Sequence, residues 1–422
     1  MNASLHIAVV GYGTAGQALA VALSGDGHRV TVFERVPHPG PVGAGFLLQP
    51  TGLAVLWALG LLPQALAHGA PVSRLYGETL AGRPVMDMRY RELHPALYGL
   101  GIQRGAMFEL LDRAWTQART LVCGRAIVRV DADAGVLHDA EGDAHGPYDL
   151  IVVADGSASS LRAQVGEVAY DRPYPWGAQW CLVPAEGWAW PDELRQRYHR
   201  ARRMVGMLPV GTRPDDPVPR VSFFWSVPVR ELDATPPGEA EWRAQVGAAW
   251  PEVMPHLAGT AVPGGLAVAR YRDSVLRRWH RGRAVLAGDG AHAMSPQLGQ
   301  GANMALVDAL VLRDCLRAAG DVPAALAAYV AARRDHIRAY HLWSRWLTPL
   351  FQSDHDVVAW VRDLVFHPLS RLPGSRGQAL RILTGTRRGW FGTWPLPEGL
   401  HEALQAAASA RPDASAGHGA MR

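Results

Sequence analysis

The chain has 422 residues, of which 48% are hydrophobic and 19% charged, with a formal net charge of +4, 45 Gly and 31 Pro. All 42 basic residues are Arg and none is Lys, which excludes Schiff-base amine catalysis, pyridoxal-phosphate anchoring and a Walker-type phosphate loop. The arginines are spread along the chain without a finger, homeodomain or RNA-motif pattern, so no nucleic-acid partner is expected.

Cys123, Cys181 and Cys315 are far apart, odd in number and form no CxxC pair. Neither a zinc cluster nor a disulfide framework is indicated, and a reducing, cytoplasmic setting is expected. The N-terminus reads as the start of a globular pattern and not as a signal peptide. No run of 18 apolar residues occurs, so stable membrane insertion is not expected. The length predicts two or three structural units.

In chain order, residues 5–10 (LHIAVV) predict a buried strand, 14–24 a helix of small residues and 29–33 a second strand, a β-α-β opening. Residues 53–68 and 105–119 are helix candidates, and 125–153 read as β-rich, ending in a buried strand from Leu150 to Ala154. The stretch 170–280 is rich in Trp, Pro and short strand-like runs, including 204–210 and 221–229, and predicts a separate sheet-based unit. A buried strand returns at 283–287, followed by a Gly-rich turn and a helix from about 301 to 318. Residues 324–350 and 354–366 predict further helices, and 405–422 a small-residue disordered tail.

Three segments carry chemistry. Gly11-Tyr12-Gly13-Thr14-Ala15-Gly16 follows a strand and opens a helix. The first Gly permits a tight turn, the second lets backbone approach a pyrophosphate, and the third lets helix and strand pack closely. Phosphate oxygens would meet the positive helix end. Glu34 ends the next strand, 18 residues after Gly16, and can accept from both ribose hydroxyls. Arg35 follows it, as an adenosine neighbour or a solvated cation. This motif alone does not separate NAD from FAD.

The second segment, DLIVVADGSASSLR at 149–162, runs a strand into Asp155-Gly156 and a polar turn ending at Arg162. Its residues alone equally describe a capped strand-to-helix turn. The third, 281–310, delivers Gly288-Asp289 from a strand, then a loop with Pro296, then Gly299-Gln300-Gly301-Ala302-Asn303 into a helix. Such a loop offers backbone donors to a ribityl phosphate or a flavin ring, or forms a lid over some other ligand.

Together the three segments, in order and spacing, resemble the group A flavoprotein aromatic hydroxylases, the para-hydroxybenzoate hydroxylase family. The resemblance spans roughly residues 5–335. It implies an α/β fold: a Rossmann-like FAD-binding domain, an α+β substrate domain built on a β-sheet, and C-terminal helices. The implied boundaries are 1–168 and 280–335 for the two parts of the FAD domain, 169–279 for the substrate domain, 336–400 for a helical region and 401–422 for a disordered tail. The glycine loop with Glu34 resembles the family's FAD motif. Asp155-Gly156 resembles the DG motif serving FAD and NAD(P)H, and Gly288-Asp289 the GD motif. Gln103-Arg104 resembles the family's FAD-approaching Arg. The position after Asp289 is Gly290, where many relatives carry Ala.

The resemblance implies a monooxygenase that uses NADH or NADPH and O2, through a flavin C4a-hydroperoxide, to hydroxylate a small aromatic or heteroaromatic molecule. A flavoprotein oxidoreductase without oxygen insertion and a non-catalytic FAD-binding regulator are the alternatives. The missing Lys and the missing Trp-x-Trp-x-Ile-Pro signature disfavour the family's halogenase branch.

No metal constellation is expected, and Asp354-His355-Asp356 reads as a helix start. Pocket candidates are Trp180, Met207, Phe223, Phe224, Trp225 and Pro296. The run 221–227 alternates two faces, and the sequence leaves open which is core. His292 reads either as a general base or as a structural histidine bonding its turn. Arg203, Arg220 and Arg270 are candidates for binding a substrate carboxylate. A monomer or homodimer is expected. The Trp-rich stretch 341–366 reads as packed, dimer-forming or interfacial.

Overall fold

The structure, a computed structural model, describes residues 4–40, 43–372 and 374–410. The β-α-β opening is present as strand His6–Val10, helix Thr14–Gly25 and strand Arg29–Glu34. His6–Val10 lies between Arg29–Glu34 and Leu150–Val153, parallel to both. Ala284–Leu286 adds in parallel beside Leu150–Val153, and Thr120–Cys123 beside Arg29–Glu34. The chain returning after residue 280 therefore completes a sheet begun at residue 6. Its strands are continuous apolar runs because both faces of a parallel sheet are covered. Buried Ala15, Gly16, Ala18 and Ala22 let the first helix approach closely, and Gly301–Ala318 packs against it.

The predicted helix at 53–68 is two helices, Pro50–Ala58 and Leu62–His68, parted at Gly60, whose φ is +72°. The one predicted at 105–119 is Arg104–Ala114. The later pair run Val322–Phe351 and Asp356–Ser370. The expected disordered tail is helical in its first part. Helix Glu398–Ser409 buries Leu400 and Leu404, an apolar pair at i, i+4 that needs a core to cover it. Residues 411–422 lie outside the described residues.

The second sheet has seven strands, in the order Ala267–Arg278, Glu167–Pro184, Asp216–Pro228, Arg203–Arg213, Glu193–His199, Arg74–Thr79 and Pro84–Arg89. The last two come from the segment expected in the first unit, with Arg74–Thr79 parallel to Glu193–His199. The expected divisions at 168/169 and 335/336 fall inside single elements, strand Glu167–Pro184 and helix Val322–Phe351. One core cluster fills the first unit. A second lies between the seven-stranded sheet and helix Glu239–Ala249, around Trp242, Val246 and Trp250. No helix among the described residues is long and apolar enough to cross a membrane.

Candidate functional site

The glycine loop sits at the carboxyl end of the central strand, and each glycine faces a different environment. Gly11 has φ +102°, and a Cβ on it would lie 2.5 Å from the Ala154 carbonyl oxygen. A Cβ on Gly16 would lie 1.9 Å from the Gly11 carbonyl oxygen. A Cβ on Gly13 would meet nothing within 4 Å. Gly11 and Gly16 are thus required by backbone packing, while Gly13 borders open space. Helix Thr14–Gly25 starts there without a side-chain cap, so Thr14, Ala15 and Gly16 present the positive helix end to that space.

Glu34 is pinned beside the loop. Its two carboxylate oxygens accept from the Tyr12 N–H at 2.8 Å and the Val36 N–H at 2.9 Å. Arg35 is exposed. Tyr12, not singled out in the sequence, is buried and donates to Asp112 Oδ1 at 2.6 Å, which Arg119 also holds.

The DG and GD turns meet across the sheet. Asp155 Oδ1 is buried with no hydrogen-bond partner among the described residues. Desolvation raises the Asp155 carboxyl above its ordinary range. Gly156, at φ +88°, turns the chain with open space beside it. Arg162 is buried: its Nε donates to the Gly290 carbonyl at 2.8 Å, and its terminal nitrogens to Asp171, the Ser157 carbonyl and the Asp289 carbonyl. All its nitrogens are spent on the protein, so the structure makes it a strut between the two turns and not a group free to touch a cofactor.

Gly288 has φ +58°, and a Cβ there would press the Ala15 methyl at 2.8 Å. Its N–H donates to Asp308 Oδ2 at 2.7 Å. The Asp289 side chain faces the start of helix Gly301–Ala318, its Oδ1 lying 3.6 Å from where a Gly301 Cβ would be. His292 is buried with Nε2 at 2.6 Å from Asp308 Oδ2, and Asp308 Oδ1 accepts from Arg333 Nε at 2.6 Å. Arg333 also contacts His336, whose Nε2 donates to the Gly385 carbonyl at 2.8 Å. Of the two readings of His292, the geometry favours the structural one, because its Nε2 is committed to a buried carboxylate.

In the loop that follows, Pro296–Leu298 forms a short turn, and Gly299 is left-handed at φ +61° with open space around it. Gln300 donates to the Leu383 carbonyl at 2.7 Å. Asn303 is fully buried, accepts from the Gln49 N–H at 2.8 Å and donates to the carbonyls of Leu47 and Gly299. Gln300 and Asn303 therefore fasten the loop to neighbouring chain, which leaves Gly301 and half-buried Ala302 at the helix start to face a ligand. Arg104 is exposed at a helix start, its guanidinium 5.5 Å from the Phe46 ring centre.

The two faces of the second sheet separate the pocket candidates. Phe223, Trp225 and Met207 lie with Val205, Val221 and Val227 in the core beneath Trp242 and Trp250. As pocket residues these three are corrected: they are core, buried at 0 to 3% exposure. On the opposite face Phe224 pairs across strands with Gly206 and Trp180, whose ring centre is 5.1 Å from that of Phe224. The same face carries Leu208 and Val210, which join the first unit's core. Trp180 and Phe224 thus look toward the first unit. Tyr271, missed in the sequence, has its hydroxyl pushed up to about 12 by burial. Arg203, Arg220 and Arg270 are engaged by Glu231, Asp216 and Asp233 respectively.

Asp354 and Asp356 pair with Arg230, Arg200 and Arg202 at the start of helix Asp356–Ser370. An acidic group not noticed in the sequence, Asp139, Glu141 and Asp143, gathers around the Arg125 guanidinium.

The model of the FAD binding domain family matches residues 4–344 of this chain. The chain is 32% identical over 365 residues to 3-amino-4-hydroxybenzoate 2-monooxygenase of Streptomyces cremeus, covering 83% of this chain and 89% of that one. It is 27% identical over 379 residues to aurachin C monooxygenase/isomerase of Stigmatella aurantiaca, covering 88% and 96%. Among solved structures, HpxO of Klebsiella pneumoniae with FAD and uric acid superposes with TM-score 0.73 at 23% identity, covering 90% of this chain and 96% of that one.

The fold is that of the flavoprotein hydroxylases, and the chain belongs to the FAD binding domain family. It is an FAD-dependent monooxygenase of the group A hydroxylase class. The residues present fit the cofactor: open backbone at Gly13 suits a pyrophosphate, and the orphaned Asp155 oxygen suits a hydroxyl donor.

Proposed function

We propose that this monooxygenase hydroxylates a small electron-rich aromatic or heteroaromatic ring, with NADH or NADPH as transient co-substrate. The observation that carries the reading is the meeting of three turns: Gly13 with open space beside it, Asp155 with an unpartnered buried oxygen, and Asp289 with its carboxylate toward the start of helix Gly301–Ala318. FAD, when bound, supplies the redox and oxygen-activating chemistry. In this reading the first-turn N–H groups of Thr14–Gly25 and the Glu34 carboxylate hold its pyrophosphate and ribose. Asp155 and Asp289 hold polar groups of the central part, and Gly301 and Ala302 supply backbone donors near the ring.

Trp180, Phe224 and Pro296 are the surfaces assigned to the substrate side, where apolar walls exclude water and orient the ring. The division into an FAD-binding unit and a sheet-based substrate unit belongs to the same reading. Relatives named for an aminohydroxybenzoate and a hydroxynicotinate support the substrate class. The three free cysteines are compatible with a reducing cytoplasm.

The test is an assay of purified protein reconstituted with FAD, following NADH and NADPH oxidation with hydroxybenzoates, hydroxypyridines, quinolones and urate. The expected result is nucleotide oxidation stimulated by one class of ring, with an oxygenated product. A flavin-loaded protein that no ring stimulates would overturn the substrate class, and conversion of substrate without oxygen would overturn hydroxylation.

A further inference from the structure

Helix Asp356–Ser370 is amphipathic in the inverted sense. Its buried side carries Ala359 and Arg362, and its solvent side carries Val357, Trp360, Val361, Leu364, Val365 and Leu369. These six are 40 to 73% exposed, and the 3-4 spacing places them in one stripe. Arg362 is consumed inside: it donates to the Leu350 carbonyl at 2.8 Å, pairs with Asp363, and its guanidinium lies 5.0 Å from the Tyr198 ring centre. Trp346, on the preceding helix, is 60% exposed. A stripe of this size exceeds the scattered apolar exposure of an ordinary surface and marks a docking face.

The charges around the stripe decide what it meets. At its start, the turn between strands Glu193–His199 and Arg203–Arg213 presents Arg200 and Arg202, and Arg230 lies alongside; Asp354 and Asp356 neutralise two of the three. At its far end Arg371 is exposed. Both ends are therefore left cationic. A two-fold pairing with a second copy would bring Arg against Arg in either orientation, a repulsive arrangement. We infer that this face docks on an anionic lipid bilayer surface, with Trp360, Leu364 and their neighbours entering the headgroup boundary and the excess positive charge of the Arg200, Arg202 and Arg230 cluster, together with Arg371, facing lipid phosphates. Apolar side chains with Trp at the interface and Arg at the rim are the combination such peripheral binding needs.

The test is co-sedimentation of the FAD-loaded enzyme with vesicles of phosphatidylcholine alone or mixed with phosphatidylglycerol. The expected result is binding to the mixed vesicles, weakened by at least about tenfold in Val361→Glu/Leu364→Glu and reduced by added salt. Because both positions are exposed, flavin content and thermal transition should match the parent. If they do not, Trp360→Ser with Val357→Ser serves as the second variant. Failure of the parent to bind mixed vesicles, or equal binding by a folded variant, would overturn the inference. So would a parent dimer that the variant converts to monomer, since the stripe would then belong to a second copy.

Discussion

At the residue scale, the glycine loop shows how backbone alone can build a phosphate site. Gly16 and Gly13 are chemically identical and three residues apart, yet one is jammed against the Gly11 carbonyl and the other faces open space. Gly16→Ala is expected to destabilise the protein by at least ~2 kcal/mol, because its Cβ meets backbone and not a yielding side chain. Gly13→Val should keep the thermal transition close to the parent's while weakening FAD retention, since its side chain fills the approach to the pyrophosphate. Differential scanning fluorimetry and the flavin content of the purified variants check both. A Gly13→Val protein holding full flavin would overturn the assignment of that space. The motif was readable from residues because the turn is local: spacing, strand and helix lie within one β-α-β unit. The contacts of Arg162 with the Asp289 and Gly290 carbonyls, of Gln300 with Leu383 and of Asn303 with Leu47 and Gln49 were not readable, since each is met through chain far away in sequence.

At the element scale, helices Gly301–Ala318 and Val322–Phe351 are joined through Asp308 and Arg333, and the same carboxylate holds the GD turn through the Gly288 N–H and His292. Burial by itself would raise the Asp308 carboxyl, but His292 and Arg333 outweigh it and hold it well below the usual carboxylate range. His336 is held well below the ordinary histidine range by burial and the neighbouring Arg333. Both depressions mean that the unfolded chain takes up protons that the folded one refuses. The His336 contribution is present above the unfolded histidine value of about 6.5 and is lost as pH falls below it. The Asp308 contribution is present above the unfolded carboxylate value of about 4 and is lost at lower pH still. Asp308→Asn removes a buried partner of Arg333 and is expected to cost about 3–5 kcal/mol. It should also flatten the loss of stability below about pH 4. Denaturant melts of parent and variant across that pH range check both. Nothing local in VDAL around Asp308 announces this role, for its partners lie 16 and 25 residues away on other elements.

At the scale of the whole molecule, the two sheets are interleaved in sequence. Strands Arg74–Thr79 and Pro84–Arg89 leave the first unit to extend the second sheet, and Ala284–Leu286 returns to complete the first. An excised fragment of residues 169–279 would lack the parallel partner of Glu193–His199 and expose an unpaired edge. It is therefore expected to show no cooperative thermal transition, whereas the full chain does; circular dichroism melts of the two decide. A cooperative fragment would show that the borrowed strands are dispensable.

The sequence by itself determined the order of elements and the positions of the three turns, because glycine spacing, apolar runs and helix starts are written in adjacent residues; FAD as the cofactor followed only from the family resemblance of the three turns taken together. It also placed Phe223 and Phe224 on opposite faces, since strand side chains alternate. Only the tertiary structure decided which face is core, because that depends on whether Trp242 or the first unit covers it. The same holds for His292 beside Asp308, and for the apolar side of Asp356–Ser370, which the sequence left open between packing and solvent. The physical reason is common to all three: a side chain's direction follows from local geometry, but what it meets is set by elements that arrive from elsewhere in the chain.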